Sequence, residues 1–212
     1  YAVIKEGLDL EVPNRKPTLV EFCPGEPREV ELLPHQKENV GAALAAVNCL
    51  VEETGWASPP PGPVTRGLNL PHRLESVGTI NGIEFINDSK ATNPAATIAA
   101  INSFEEPIRL LLGGKAKRSS YDRLISRVES SSVKATYLFG SAKGKLAEIL
   151  EKDGVAHFDT YSTMEKAAQK AFNDAGEGDV VLLSPGCSSY DRFNNFEERG
   201  EKFNETVNVM AN

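Results

Sequence analysis

Cysteine and histidine are scarce. The 212 residues hold three of each, Cys23, Cys49 and Cys187 and His35, His72 and His157. None is spaced as a metal site or as a nucleophile with its base. Thiols this far apart are expected to be buried and free, in a reducing compartment. No apolar run approaches the roughly 18 residues of a membrane helix. There is no excess of basic charge either. The formal charge of −7 argues against a general nucleic-acid role. It does not argue against a small anionic ligand, because that depends on local charge. No G-x-x-x-x-G-K-[ST] motif is present, so the chain has no phosphate loop of its own. "GGKAKRSS" resembles one only superficially. No G-x-G-x-x-G follows a strand with an acid downstream, which weakens a dinucleotide-dependent oxidoreductase. Repeats and low-complexity tracts are missing too. No signal peptide is visible, but Tyr1 is not a natural start, and we expect an internal piece of a longer protein.

What is there reads as two parts. Up to Leu33 the pattern is short and strand-like ("YAVI", "LVEF", "REVELL"), punctuated by Pro13, Pro17, Pro24 and Pro27. "NVGAALAAVNCLVEE" then predicts a helix stopped near Gly55. "ASPPPGP" (57–63) is a stiff connector, and a domain boundary is expected near Leu70, giving parts 1–69 and 70–212. Beyond it, "SVGTI" and "IEFIND" flank Asn81-Gly82, a type I′ hairpin signal. Asn93 and Pro94 predict an N-cap and first helical position. Apolar strands at 108–114, 133–140, 155–159 and 179–185 then alternate with helices at 121–130, 142–154, 163–176 and 191–210. Continuous apolar strands separated by long helices imply an α/β fold. The expectation is a Rossmann-like, mostly parallel sheet with helices on both faces and an N-terminal hairpin.

Ligands of such sheets bind beyond the carboxyl ends of the strands. Three strand-to-helix turns are unusually polar here: 87–93 ("NDSKATN"), 113–117 ("GGKAK") and 184–189 ("SPGCSS"). Each offers backbone N–H groups near a helix start, where negative charge is favoured. Lys90, Lys115 and Lys117 add charge, and Thr92 and Ser189 add hydroxyls. Taken singly, the hydroxyls read as caps, Gly113-Gly114 as a tight turn, and Lys115 and Lys117 as a solvated loop face. His72 reads as a packed or capping side chain. Cys187 lacks a nearby His partner and reads as a buried thiol. Together the turns describe a pocket for a small molecule carrying carboxylates or phosphates.

Five runs in order, "HQKENVGAALAA", "LPHRLE", "NDSKATN", "LLLGGKAK" and "LLSPGCSSYDRFNNFEERG", resemble the MurD-type branch of the Mur ligases. The D-N-P-[RN] signature of the diaminopimelate- and lysine-adding branches is not found. The resemblance covers His35 to Gly200 and implies an ATP-dependent amide ligase of peptidoglycan synthesis. In that family ATP and Mg2+ convert the carboxylate of UDP-N-acetylmuramoyl-L-alanine to an acyl phosphate, which D-glutamate attacks.

It implies that residues 1–69 are the incomplete end of a central ATPase domain and that 70–212 bind the amino acid. By resemblance, Asn39, Arg73, Asp88 and Lys90 meet ATP, with Arg73 and Lys90 closest to the chemistry. Thr92, Lys117, Ser189 and the backbone at Phe196 meet D-glutamate. Magnesium ligands, the phosphate loop and the UDP-binding domain are expected upstream, so the piece alone is expected to be inactive. The implied partners are these small molecules only, with no nucleic acid or membrane. A monomer in the bacterial cytoplasm is implied, or in a plastid if the source is a photosynthetic eukaryote. A non-catalytic acidic-amino-acid-binding module is the alternative. Gln36, Lys115 and Ala116 depart from the usual Asn, Asp and Gly.

Overall fold

The computed structural model describes residues 2–5, 19–22, 41–43, 45–49, 51–52 and 70–211. The chain divides into two compact units, 1–69 and 70–212. In the first, β1 (Ala2–Lys5) pairs in parallel with β2 (Leu19–Phe22). The described residues at 41–43, 45–49 and 51–52 are helical, and Cys49 among them is buried and free. The "REVELL" strand, His35, Gln36, Asn39 and Cys23 lie outside the described residues.

The second unit begins with a hairpin. β3 (Glu75–Ile80) runs antiparallel to β4 (Ile83–Asn87), with a bulge between Ser76 and Gly78. Asn81 and Gly82 have φ of 52° and 76°, the two left-handed positions of a type I′ turn. The chain continues through α1 (Pro94–Ile101), β5 (Ile108–Gly113), α2 (Asp122–Glu129), β6 (Val133–Phe139) and α3 (Lys143–Lys152). It closes with β7 (Phe158–Thr160), α4 (Met164–Asp174), β8 (Val180–Gly186) and α5 (Phe196–Met210). The six-stranded sheet has the order β3-β4-β8-β5-β6-β7, and every pairing except β3–β4 is parallel. The α/β expectation holds. Among the described residues no helix is long and apolar enough to cross a membrane.

Period-two alternation splits the core between the faces. Ile86, Leu110, Leu112, Leu138 and Leu182 face one way, with Leu124, Ile125, Leu146 and Leu150 of α2 and α3. Phe85, Leu111, Tyr137, Phe139, Val181 and Leu183 face the other, with Ala167, Ala168 and Ala171 of α4 and Phe203 and Val207 of α5. Each fully buried Leu or Phe contributes about 2 kcal/mol of transfer free energy. Both faces are covered, so the strands carry no polar alternation.

Two boundaries differ from the expected ones. The strand expected at 155–159 is β7 at 158–160. Val155 is spent closing α3: its N–H bonds Leu150 O at 3.0 Å and that of Gly154 bonds Glu151 O at 3.2 Å, with Gly154 at φ 77°. That is a Schellman closure. The last helix starts at Phe196, not Asp191. The N–H groups of Asp191, Arg192 and Phe193 all turn back to Ser189 O, and Asn195 then caps the helix by accepting from Glu198 N at 2.7 Å.

Candidate functional site: a polar rim at the carboxyl edge of the sheet

β8 lies between β4 and β5, with all three parallel, so the bends that leave them emerge side by side. The bends are also tied directly. Asp88 N–H donates to Leu183 O at 2.8 Å, and Gly186 N–H donates to Ala91 O at 2.9 Å. Lys115 and Ser188 exchange two backbone hydrogen bonds, at 2.7 and 3.0 Å. The turns at 87–93, 113–117 and 184–189 therefore form one rim. Gly114 is required there. Its φ is 121°, and a Cβ would stand 2.4 Å from Ser188 O.

Arg73, Asp88 and Lys90 come together on the rim. The stretch before β3 is bent through left-handed φ at His72 (60°) and Leu74 (46°), backbone that non-glycine residues adopt only when their surroundings hold it. His72 O accepts from Lys90 N at 3.0 Å. The His72 ring is buried and packs against Gly200, where a Cβ would meet Nδ1 at 2.3 Å. Asn87 Nδ2 lies 3.1 Å from His72 Nδ1 and donates to Gly200 O at 3.0 Å and Asn204 Oδ1 at 2.7 Å. His72 is thus a packed side chain, as the sequence suggests. It pins the Arg73 turn to α5. Arg73 is half-buried, and its Nε is shielded from solvent with no hydrogen-bond partner. A buried guanidinium N–H left open is costly, and an anion would satisfy it.

Asp88 is 5% exposed, and its carboxylate accepts from Ser184 Oγ at 2.8 Å. Burial pushes its pKa up to about 7, against the opposing pull of Ser184, the Leu74 backbone, Arg73 and Arg199. Its carboxyl is therefore protonated more readily than an ordinary aspartate, and the protonated form can donate a hydrogen bond. Lys90 Nζ lies 5.4 Å from the centroid of the Phe196 ring, and Ser89 Oγ donates to Phe196 O at 2.8 Å. The start of α5 is thereby fastened to the first bend.

Thr92 and Lys117 meet on the rim as well, with Nζ 3.5 Å from Thr92 Oγ1. Lys115 and Lys117 are exposed, and Ser189 is buried in the third bend. Cys187 is fully buried and shares a 3.2 Å contact with Tyr121 Oη. Burial pushes its thiol pKa up, so it is a packing residue and not a nucleophile. Sequence reasoning assigned no role to Arg199, which the structure buries beneath the rim. Its position in "NFEERG" was the only signal. Among the described residues no group of three or more His, Cys, Asp or Glu is arranged to hold a metal ion.

A mostly parallel α/β sheet with three bends meeting at its carboxyl edge defines the class of α/β domains that hold ligands beyond the carboxyl ends of their strands. The family described as "Mur ligase, glutamate ligase domain" matches residues 72–187, and the chain belongs to it. The chain is 40% identical over 189 residues to the UDP-N-acetylmuramoylalanine–D-glutamate ligase of Caldicellulosiruptor bescii, covering 89% of this chain and 39% of that protein. The ligase of the same name from Bacillus subtilis is 38% identical over 187 residues, covering 87% and 40%. The chain thus spans about 40% of the length of these curated relatives. Among solved structures, folylpolyglutamate synthase of Mycobacterium tuberculosis with ADP and AMPPCP shares the fold at TM-score 0.60 and 17% identity, over 82% of this chain and 40% of that one. The UDP-N-acetylmuramate-alanine ligase of Thermotoga maritima does so at TM-score 0.55 and 13% identity, over 82% and 38%.

Proposed function

We propose that the chain is the amino-acid-binding domain, with the end of the ATP-binding domain, of a ligase in peptidoglycan synthesis. That ligase adds D-glutamate to UDP-N-acetylmuramoyl-L-alanine through an acyl phosphate. The meeting of the three bends carries the reading. Lys117, Thr92 and Ser189 offer a cation and two hydroxyls to the carboxylates of D-glutamate, and the backbone at Phe196 is the further donor in this reading. Arg73, with its open Nε, fits a phosphate of ATP, and Asp88 and Lys90 sit beside it for the ribose and the transferred group. ATP supplies the activation of the carboxylate, and Mg2+, held by residues expected upstream, neutralises its phosphates. This chain's own task is positioning: it holds the amine of D-glutamate in line with the acyl carbon and screens it from water. The reading places Asn39 at the adenine and the protein in the cytoplasm as a monomer.

Calorimetric titration of the 212-residue chain with D-glutamate and L-glutamate tests the reading. Saturable heat with D-glutamate, weaker with L-glutamate, is expected. Identical heats for the two enantiomers would contradict an amino-acid site of this shape.

A further inference from the structure

Arg199 is the largest fully buried side chain among the described residues. It rises from the first turn of α5 to the underside of the rim. Its Nε donates to Ser89 Oγ at 2.9 Å, Nη2 to Ser89 O at 2.7 Å and Nη1 to Cys187 O at 3.1 Å. The guanidinium therefore bridges the first bend and the third. The second bend presses on it as well, since a Cβ on Gly114 would stand 3.0 Å from Nη1. All three hydrogen bonds end on neutral oxygens. Asp88 and Asp191 act on Arg199 only through space.

A cation taken out of water costs several kcal/mol, and buried ones are usually paired with a carboxylate for that reason. Here the hydrogen bonds engage three of the five N–H donors, one on each nitrogen, but bring no carboxylate into contact with the charge. Asp88, one of the two carboxyls that act on it, is itself buried, and that burial disfavours its charged form. Asp191 is turned elsewhere, accepting Ser141 N–H at 2.8 Å. What remains beneath the three bends is a fixed positive charge in a region of low dielectric. There its field is screened far less than that of the exposed Lys115 and Lys117.

We propose that Arg199 is a positioning and specificity-determining residue, whose buried charge draws the side-chain carboxylate of the amino acid to the rim and rejects its neutral amide counterpart. The inference rests on the proposed amino-acid site and deepens it. Arg199 does not touch the ligand; it acts through the bends it supports and the field it sets. A residue that only held the bends together would affect every ligand of the rim alike. A field discriminates by charge.

The test compares D-glutamate with D-glutamine, nearly equal in shape and differing by one charge, on the 212-residue chain by calorimetry. In Arg199→Met the preference for D-glutamate falls by about tenfold, the scale of one charge acting through a partly screened interior. In Arg199→Lys, which keeps the charge and loses the fork, the preference stays within about threefold of wild type. Equal weakening of both ligands in Arg199→Met, with their ratio unchanged, overturns the proposal. If Arg199→Met does not fold, Arg199→Lys decides: a retained preference supports the field and a collapsed one overturns it.

A ligand-free arm separates this inference from the reading beneath it. Asp88 is faced by Arg73, Arg199, Ser184 and the Leu74 backbone. Its carboxyl midpoint, followed by NMR, rises in Arg199→Met if the field is present and stays put if it is absent. If the wild-type chain binds neither amino acid, the proposed site has failed. The NMR midpoint then still decides on the field.

Discussion

Replacing Asp88 with asparagine should stabilise the second unit at pH 8 and leave its stability nearly unchanged at pH 4. Asp88 is 5% exposed, and folding raises its pKa from 3.8 to about 7, burial being the largest cause. The sign follows from proton counts. Between these two pH values the folded state binds more protons than the unfolded one, so stability falls as pH rises. The cost of ionising Asp88 is absent below about pH 4, accumulates through the window, and is complete above about pH 7. A rise from 3.8 to about 7 at roughly 1.4 kcal/mol per unit sets a ceiling of about 4 kcal/mol. Asparagine is neutral throughout, and its side-chain oxygen still accepts the Ser184 hydroxyl. Other titrating groups are shared by the two proteins and cancel in the difference. The assay is urea denaturation of wild type and Asp88→Asn at half-unit steps from pH 4 to 8. The difference should open by about 2–4 kcal/mol across that range. A difference that stays flat, or that closes as pH rises, would refute the account of a carboxylate ionised against its burial.

Other perturbations separate the parts of the rim. In the complete ligase, Lys117→Ala should raise KM for D-glutamate by about tenfold or more, with little change for ATP. Arg73→Ala should show the reverse bias in the same steady-state assay. Equal effects on both substrates would remove either residue from its assigned ligand. Gly114→Ala should cost more than about 2 kcal/mol in denaturant, because its φ of 121° and the Ser188 carbonyl at 2.4 Å both reject a methyl group. Asn93→Ala should cost about 1 kcal/mol by releasing the Ala96 N–H, which Asn93 Oδ1 accepts at 3.0 Å.

Features governed by local chemistry were legible in the letters. Asn81-Gly82 announced the hairpin because both positions need left-handed φ. Asn93-Pro94 announced the start of α1, since a short polar side chain caps where proline needs no N–H partner. The three polar turns stood out because each interrupts an apolar strand. The insertion of β8 between β4 and β5 was not legible from pattern alone, since apolar strands carry no label for their neighbours. Yet that insertion brings Ser184 to Asp88 and Gly186 to Ala91. Arg199 was hidden for a related reason. An arginine in the first turn of a polar helix looks solvated until the bends close over it, 110 residues in sequence from the Ser89 it holds. The shift of β7 to 158–160 came from Val155, an apolar residue spent on closing a helix. Hydrophobicity by itself does not separate those two uses.

The most direct measurement is an amide chemical-shift map of the isotope-labelled chain titrated with D-glutamate. Perturbations concentrated at 87–93, 113–117 and 184–189, with the strongest near Thr92 and Lys117, are the predicted result. Perturbations confined to the opposite edge of the sheet, around Lys134 and His157, or scattered without saturation, would contradict a binding rim built from these bends.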